Sequence, residues 1–363
     1  MNSKKIITAT FSLLMSALLV MGTINVVIDP LFQYHKPWFG LEPYIIDERY
    51  QNSGIAKNFD FENVIIGNSM TENFLVSDAE KTFGGKTVKL SASGSHVLDW
   101  TYLLKILEQR EKHPKNILFN LDSGFFDSSD KTTKHEMPLF LYDNNYLNDV
   151  EYLFNFTLTQ KYTYGALKAN LNGNIPEYEK AFVWGYEKEI GKDVVLKGYE
   201  KEIGKDVVLK EYETVKKEEA ETSVNANFYT DGNLLLLSEY FDSMPDTEFV
   251  FFCSPFSVLY WKDICDSNLL TEYKKQYEKT FEFLSRYENV TVYFWTDEDM
   301  LNIISDLDNY KDSTHYGMHI NKMMLERIGE NIGELPKEKE MWYPLLDKYF
   351  DYLESFDYQA IFR

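Results

Sequence analysis

Short apolar runs alternate along this chain with longer segments whose apolar residues are spaced three or four apart. The short runs have the composition of buried strands, and five of them stand out, at residues 63–66, 87–90, 116–121, 248–253 and 290–294. The longer segments predict helices near residues 70–80, 95–112, 231–243, 267–286, 318–331 and 336–359. Strands that alternate with helices favour a parallel sheet covered by helices, so we expect an α/β fold with about five strands.

An interruption of this alternation divides the chain into segments. The alternation runs through residues 61–126, stops in an aromatic, Asn-rich stretch at 127–230 and resumes over 231–335. We therefore expect one domain built from two blocks that are separated by an insertion. Residues 30–60 contain three prolines and are expected to be an irregular connection, and residues 336–363 are expected to add a C-terminal helix.

A tandem repeat lies inside the predicted insertion, at residues 185–210. The sequence GYEKEIGKDVVLK occurs at 185–197 and again at 198–210, with all 13 positions identical. Solenoid repeats have longer periods and more copies, so the favoured interpretation is a recent duplication of a surface segment. A binding hairpin is the alternative. We expect that deleting residues 198–210 leaves folding and activity intact.

The N-terminus carries an uncharged apolar run at residues 6–28, which is long enough to cross about 30 Å of hydrocarbon. The run exceeds the apolar region of a typical signal peptide, so residues 1–29 are expected to be a cytoplasmic tip and an uncleaved signal-anchor. Lys4 and Lys5 precede the run and Asp29 follows it, which predicts a single-pass cell-membrane protein whose C-terminal domain is extracytoplasmic. A buried core helix or a cleaved signal is the alternative.

The composition excludes several functional classes. The chain has 58 Asp and Glu residues against 37 Lys and Arg residues, a net charge of −21, so no nucleic-acid partner is expected. Its 26 Phe and 26 Tyr residues are too many for a disordered chain. Cys253 and Cys265 allow at most one disulfide and are more simply interpreted as buried apolar residues. No metal-binding motif is visible, and no cofactor is expected.

Two motifs could supply a nucleophile and its base. Ser69, in Gly67-Asn68-Ser69, follows the first strand and precedes a helix, where open parallel sheets bind ligands. By position alone it is either a nucleophile or a helix N-cap. Asp312 and His315 form a D-x-x-H motif near the C-terminus, in which histidine can accept the serine proton and aspartate can fix its tautomer.

Two more polar turns follow strands and could stabilise an oxyanion. Gly94 follows the second strand, and a glycine there can offer its backbone N–H to a substrate. The third strand runs into the sequence NLDSG, whose Asn120 and Ser123 are further candidate oxyanion donors.

The order of these motifs resembles that of the SGNH (GDSL-like) hydrolase superfamily. A serine follows strand one, a glycine follows strand two, a polar cluster follows strand three, and D-x-x-H lies near the C-terminus. The resemblance covers residues 61–126 and 246–331. It implies a flavodoxin-like three-layer α/β/α sandwich, with Ser69 as nucleophile, His315 as base and Asp312 as its orienting partner. It also implies that the backbone N–H of Gly94 is an oxyanion donor.

The sequence departs from the family pattern in two places. Asn68 stands where the family has Asp before the serine, and NLDSG stands where the family has G-x-N-D. The second departure leaves the oxyanion role of Asn120 open, with Asp122 or Ser123 as alternatives at that place.

With its N-terminal anchor, the chain looks like the extracytoplasmic proteins of alginate O-acetylation and teichoic-acid D-alanylation. The resemblance implies acyl transfer or ester hydrolysis on a cell-envelope polysaccharide through an acyl-serine, beside a multi-pass membrane acyltransferase. The acidic charge favours a neutral glycan acceptor, and Trp184, Tyr164 and Tyr142 could cover its sugar rings, core packing being the alternative for all three. The competing hypothesis is a weak or inactive SGNH-like accessory protein of polysaccharide modification or assembly.

Overall fold

The computed structural model describes residues 3–127, 136–184, 203–218 and 227–363, which form two compact units. The first unit contains residues 3–60, 105–110 and 136–181. The second contains residues 61–104, 111–127, 182–184, 203–218 and 227–363. These units cut across the segments expected from the sequence. Residues 30–60 and 136–181 belong to the same unit as the N-terminal helix, and the described remainder of the insertion belongs to the second unit.

The second unit is an α/β domain around a five-stranded, all-parallel sheet, which confirms the predicted fold class. Its strands are β1 (Asn63–Ile66), β2 (Thr87–Lys89), β3 (Asn116–Leu121), β4 (Glu248–Cys253) and β5 (Val290–Tyr293). They lie in the spatial order β2-β1-β3-β4-β5. The chain steps from β1 to β2 and then crosses to the other side of β1. Because parallel connections are right-handed, this reversal puts helices on both faces and creates a three-layer sandwich.

Aromatic side chains fill the layers on both sides of the sheet. Strands β3 and β4 are buried over nearly their whole length, as expected where both faces are covered. The Phe119 ring stacks on Phe251 with 5.1 Å between centroids. Phe252, the next residue along β4, meets Phe74 edge to face at 5.4 Å. Successive side chains of a strand point to opposite faces, so one strand supplies both layers.

The helices of the second unit include every predicted helix and four that were not predicted. The α-helices are Ser69–Glu72, Val76–Phe83, Val97–Glu108, Ser123–Asp127, Lys205–Glu218, Thr230–Ser243, Val258–Asp266, Leu270–Leu284, Glu298–Ser305, Met318–Gly329 and Lys339–Ser355, and two 3₁₀ turns span Leu307–Asn309 and Tyr358–Phe362. The last residues of Val97–Glu108, from Lys105 onwards, belong to the first unit. The prediction near 70–80 corresponds to two helices. The additional ones are Ser123–Asp127, Lys205–Glu218, Val258–Asp266 and Glu298–Ser305.

The first unit contains one helix, Ser3–Ile28, that is long and apolar enough to cross a membrane, with a mean hydropathy of 2.2 over its most apolar stretch. Its other elements are the α-helices Glu48–Asn58, Val150–Leu153, Phe156–Leu158 and Gly165–Asn172, the π-helical turn Thr159–Tyr164 and the 3₁₀ turns Leu139–Leu141 and Tyr178–Lys180. The helix Glu48–Asn58 replaces part of the expected irregular connection. A side chain at its Gly54 would come within 1.9 Å of the Leu31 carbonyl oxygen, so only glycine fits there.

Polar groups fix the C-terminal end of the long helix within the first unit. Asn25 is fully buried, and its amide donates hydrogen bonds to the Leu153 carbonyl at 2.9 Å and to Thr159 Oγ1 at 2.7 Å. Its amide oxygen accepts one from Thr163 Oγ1 at 2.6 Å. Asp29 is also buried and accepts from the backbone N–H groups of residues 33–35. These bonds satisfy both buried polar side chains, as burial requires.

Most of the tandem repeat, residues 185–202, lies outside the described residues. The end of its second copy packs within the second unit, where Lys205–Glu218 is a helix with Val208 fully buried. The Gly204 backbone N–H donates to the Tyr310 carbonyl at 2.9 Å, and that of Lys205 donates to Asp308 Oδ1 at 2.8 Å. This part of the repeat is therefore joined to the loop that leads into the D-x-x-H motif.

Candidate active site

In the turn after β1 the Ser69 hydroxyl does not cap the helix, because a different residue does so. Asn68 has extended backbone angles and its Oδ1 accepts from the Met70 backbone N–H at 3.0 Å, so Asn68 is the N-cap of Ser69–Glu72. Gly67 precedes it, and a side chain there would come within 2.2 Å of Asn120 Oδ1. Each residue of the local sequence Gly-Asn-Ser thus has its own role. Gly67 allows close approach to β3, Asn68 caps the helix, and Ser69 supplies the hydroxyl.

Ser69, His315 and Asp312 form a continuous hydrogen-bonded chain. Ser69 Oγ lies 2.8 Å from His315 Nε2, and His315 Nδ1 lies 2.7 Å from Asp312 Oδ2. All three side chains are half-buried, so solvent or a substrate can reach them. When Nδ1 donates to Asp312, Nε2 is left as an acceptor for the serine proton. The structure brings together the three residues that the sequence assigns to nucleophile, base and orienting partner.

Asp312 is held in its charged form by its neighbours. Burial opposes the charge, but the His315 side chain and the backbone N–H groups of Thr314 and His315 hold the pKa of Asp312 well below its ordinary value of 3.8. Its Oδ1 accepts from those two backbone groups at 2.9 and 2.7 Å and from Thr314 Oγ1 at 3.0 Å. The four bonds fix the carboxylate, so that Oδ2 faces the imidazole.

The loop that carries His315 is fixed at both ends. Tyr310 and Tyr316 form an isolated antiparallel bridge, and the buried Tyr310 hydroxyl donates to the Pro255 carbonyl at 2.6 Å. Ser257 Oγ donates to the Ser313 carbonyl at 2.7 Å. Because the segment after β4 supplies both of these anchors, the position of the imidazole depends on the sheet rather than on a free loop.

A second polar network lies next to Ser69 and joins the half-buried Asn68 to the buried Asn120 and Asp122. Asp122 Oδ2 accepts from Asn68 Nδ2 at 2.8 Å and from Asn120 Nδ2 at 2.5 Å. Asn120 Nδ2 also lies 3.2 Å from Asn68 Oδ1, and Asn120 is fully buried. Both amide hydrogens of Asn120 are therefore already donated within the protein. Its predicted role as an oxyanion donor would require these bonds to rearrange.

The other two candidate oxyanion donors lie at strand ends in the second unit. Gly94 is exposed in a left-handed conformation, with φ of +65° and open space beside its α-carbon. The turn that contains it is joined to the nucleophile turn, because the Ala92 N–H and Ser95 Oγ both donate to the Gly67 carbonyl, at 2.9 and 2.8 Å. Ser123 is half-buried at the first position of the helix Ser123–Asp127.

Trp184 covers the Ser69–His315 pair. Its indole N–H donates to the Ser69 carbonyl at 3.2 Å, and its ring lies edge to face with the imidazole at 5.0 Å between centroids. The Trp184 backbone N–H donates to Asn73 Oδ1 at 2.9 Å, and the Lys311 ammonium lies 4.7 Å from the indole centroid. Trp184 was singled out in the sequence as a sugar-stacking candidate, and the structure assigns it contacts with the nucleophile and the base.

Sequence reasoning missed the two residues that hold Trp184. Asn73 ends the short helix that begins at Ser69, and Lys311 immediately precedes Asp312. The one sequence feature that pointed to these two residues was that they lie close in the chain to the predicted site residues. The other proposed sugar-stacking residues belong to the first unit, where Tyr142 is buried and donates its hydroxyl to the Arg49 carbonyl at 2.8 Å, and Tyr164 is exposed.

Within the described ranges, no group of three or more His, Cys, Asp or Glu side chains is arranged to hold a metal ion. The chemistry that these described residues can support is proton transfer and nucleophilic attack by a serine oxygen. Comparison with known proteins adds no relative to this description: no protein-family model matches the sequence, and no curated protein is significantly similar to it.

Proposed function

We propose that this protein transfers or hydrolyses an acyl ester through an acyl-serine intermediate on Ser69. The observation that carries the proposal is the hydrogen-bonded chain from Ser69 Oγ through His315 to Asp312, with both links shorter than 3 Å. A serine hydroxyl is a weak nucleophile until a base accepts its proton, and an oriented histidine is the group that meets this need at neutral pH.

In the proposed reaction, Ser69 Oγ attacks the ester carbonyl carbon as His315 Nε2 takes its proton. The tetrahedral intermediate collapses, the bond to the leaving alcohol breaks, and His315 returns the proton to that alcohol. Water or a sugar hydroxyl then gives its proton to His315 and attacks the acyl carbon. The bond between that carbon and Ser69 Oγ breaks, and His315 returns the proton to Ser69. Asp312 keeps its charge throughout and stabilises the imidazolium that forms in each half-reaction.

The substrate class that we propose is an acylated cell-envelope polysaccharide, and the family is the SGNH hydrolase superfamily. The strand order β2-β1-β3-β4-β5 supports the family assignment, since ligands of such sheets bind where the order reverses, between β1 and β3, and Ser69 directly follows β1. The net charge of −21 disfavours an anionic polymer, so a neutral glycan is the preferred acceptor. In this proposal the half-buried Trp184, whose ring contacts the imidazole, covers a sugar ring of the substrate.

We further propose that the helix Ser3–Ile28 anchors the chain in the cell membrane with the second unit on the extracytoplasmic side. The helix is long and apolar enough for this task, and Lys4 and Lys5 at its start favour the orientation. A multi-pass membrane acyltransferase that supplies the acyl group would be the natural partner of a protein anchored in this way.

A fluorophosphonate probe tests the proposal, because it reacts with a serine only when a base activates the hydroxyl. We expect the full-length protein in detergent to be labelled on Ser69 and the variant Ser69→Ala to remain unlabelled. Ser238→Ala is the matched control, since Ser238 lies on a helix surface and donates only to the Leu235 carbonyl. This control should be labelled as strongly as the natural protein. A folded natural protein that is not labelled would contradict the proposal.

A second candidate function is that of an accessory protein that binds acylated glycans without turning them over. The observation in its favour is that Asn120 has already donated both amide hydrogens to Asp122 and Asn68, which leaves one fewer donor for an oxyanion. Loss of one such donor costs about 2.7–4 kcal/mol of transition-state stabilisation in enzymes of this type. Under this alternative, the probe fails to label Ser69 while the protein still binds an acetylated glycan.

A further inference from the structure

Residues 150–159 of the first unit are tied to the last two turns of the long N-terminal helix. The Phe154 ring covers Gly22 so closely that a side chain at Gly22 would come within 2.8 Å of it. The next residue back, Leu153, accepts the hydrogen bond from Asn25. Gly22 lies six residues before the end of the helix at Ile28, which is about 9 Å along the axis. Phe154 therefore lies alongside the helix and not beyond its end.

This position corresponds to the edge of the membrane if the helix is inserted as proposed. A hydrocarbon core of about 30 Å takes up about 20 residues, so a core that begins at Ile6 ends near Asn25. Gly22 and Phe154 are then at the depth of the outer acyl chains. The inference therefore rests on the proposed membrane insertion of the long helix.

Apolar side chains that surround Phe154 in the sequence are exposed. Leu147 is 85% exposed and Phe156 is 72% exposed, and three more exposed side chains lie in the same stretch of eleven residues. We call these five side chains the apolar rim: Tyr146, Leu147, Val150, Phe154 and Phe156. A run of exposed apolar residues of this size is unusual on a soluble surface and marks a contact with another phase or molecule.

We propose that the apolar rim lies at the boundary between the lipid headgroups and the outer acyl chains and gives the first unit a second attachment to the bilayer beside the helix. Continuity with the helix favours lipid as the occupant, because Phe154 contacts the helix and Val150 is one turn away, its carbonyl accepting from the Phe154 N–H. Asp149 and Glu151 are interspersed among the rim residues, so the attachment relies on apolar burial and not on attraction to anionic lipids.

Depth-dependent quenching in nanodiscs that hold one copy of the full chain tests this inference. Single cysteines replace Leu147 or Phe156 in a Cys265→Ser background and carry a bimane label, and the discs contain phosphatidylcholine with or without a nitroxide on the headgroup or upper acyl chain. Leu19→Cys, on the exposed surface of the helix, reports insertion. Leu235→Cys, which is 61% exposed in the second unit, is the exposure-matched control.

We expect nitroxide lipid to reduce the fluorescence at positions 147, 156 and 19 and to leave position 235 unchanged. If position 19 is quenched while 147 and 156 behave like 235, the helix is inserted and the rim inference is wrong. If position 19 is not quenched, the membrane insertion itself fails and the rim inference falls with it. Labels at 147 and 156 that are protected from aqueous iodide without being quenched by lipid would indicate a protein occupant, which also contradicts the proposal.

Discussion

Two aspartates of the second unit accept similar sets of hydrogen bonds but have opposite pKa shifts. Asp312 accepts from the His315 ring, two backbone N–H groups and a hydroxyl, and its pKa is lowered. Asp122 accepts from two side-chain amides and two backbone N–H groups, yet its pKa is raised, because burial outweighs those donors. The number of donors is therefore not what separates them.

The difference lies in the kind of donor and in access to solvent. Asp312 faces an imidazole that can carry a positive charge, and its side chain is 19% exposed, whereas Asp122 is surrounded by neutral amides and buried. A buried carboxylate surrounded by neutral donors remains costly, and a carboxylate paired with a potential cation is stabilised. The arrangement around Asp122 holds Asn68 and Asn120 in place. The arrangement around Asp312 suits a group that must stay charged during proton transfer.

The strongest test of this contrast is Asp312→Asn. The amide oxygen can keep the two backbone bonds, but its NH₂ group then faces His315 Nδ1 and selects the wrong tautomer. We expect kcat on a chromogenic acyl ester to fall by a factor on the order of 10³–10⁴, with the fold retained by circular dichroism. A loss smaller than tenfold would show that Asp312 does not set the tautomer.

The same variant has a defined pH dependence. The pKa of Asp312 in the folded protein lies below its ordinary value. As the pH falls below about 4, the unfolded state therefore binds more protons than the folded state does. Its contribution to stability is present above the ordinary value of 3.8 and is lost on acidification. The difference in unfolding free energy between the natural protein and Asp312→Asn should therefore stay constant above about pH 5 and narrow as the pH falls below about 4 in urea titrations.

Asp122→Asn should mainly affect stability. Asp122 Oδ2 accepts from the two side-chain amides and Oδ1 accepts from the Phe125 backbone N–H, so either orientation of an amide turns its NH₂ towards groups that also donate. We expect the free energy of unfolding to fall by about 1–3 kcal/mol, measured by urea denaturation. Fluorophosphonate labelling of the folded fraction should fall less than in Asp312→Asn. If Asp122→Asn reduced labelling more than Asp312→Asn does, the assignment of a structural role to Asp122 and a site role to Asp312 would be wrong.

Trp184→Phe is expected to produce a smaller change, limited to the site. The variant retains a ring beside His315 and loses the indole bond to the Ser69 carbonyl, which is worth about 1 kcal/mol, or about fivefold in kcat. Trp295→Phe is the matched control, because it removes an indole bond to the Ile332 carbonyl. That control should lower the melting temperature without changing kcat. Equal kcat values for both variants would indicate that Trp184 is only a packing residue.

The smallest effect is expected from deleting residues 198–210. The two copies of the repeat are identical, so the shortened chain still supplies Gly, Lys and Val at the places of Gly204, Lys205 and Val208. The connection from Trp184 shrinks from the eighteen residues 185–202 to five, which still span about 20 Å when extended. We expect unchanged melting temperature and labelling. A large fall in either would show that the length of this connection matters.

Much of the second unit could be predicted from its sequence. The five strands were found to within one residue at each end. Strands β3 and β4 are mainly apolar because both faces of the sheet are covered, whereas β2 has Val88 as its one apolar residue. Ser69, Asp312 and His315 could be grouped because their motifs follow predicted strands or precede a predicted helix. The family resemblance supplied the expectation that they meet, and the 2.8 Å distance between Ser69 and His315 agrees with it.

The first unit was harder to predict because its core uses polar residues and close backbone contacts. The helix Glu48–Asn58 buries Gln51, Asn52 and Ser53, so it lacks the apolar spacing that marks a helix. In the second unit, the helices that begin after Ser257 and Asp297 carry recognisable N-cap residues, but each is only eight or nine residues long. The orientation of the Asn120 amide depends on Asn68 and Asp122 together, which no spacing rule encodes.

The distance along the chain between Ser69 and His315 has a consequence for biosynthesis. The two residues are 246 positions apart, and their hydrogen bond depends on a loop anchored to the segment after β4. At typical elongation rates, the ribosome needs about 12–50 s to add the residues between them. During that interval the nascent chain displays a serine with no base beside it. The Ser69–His315 pair therefore cannot form until the segment that carries His315 has been synthesised and has left the ribosome.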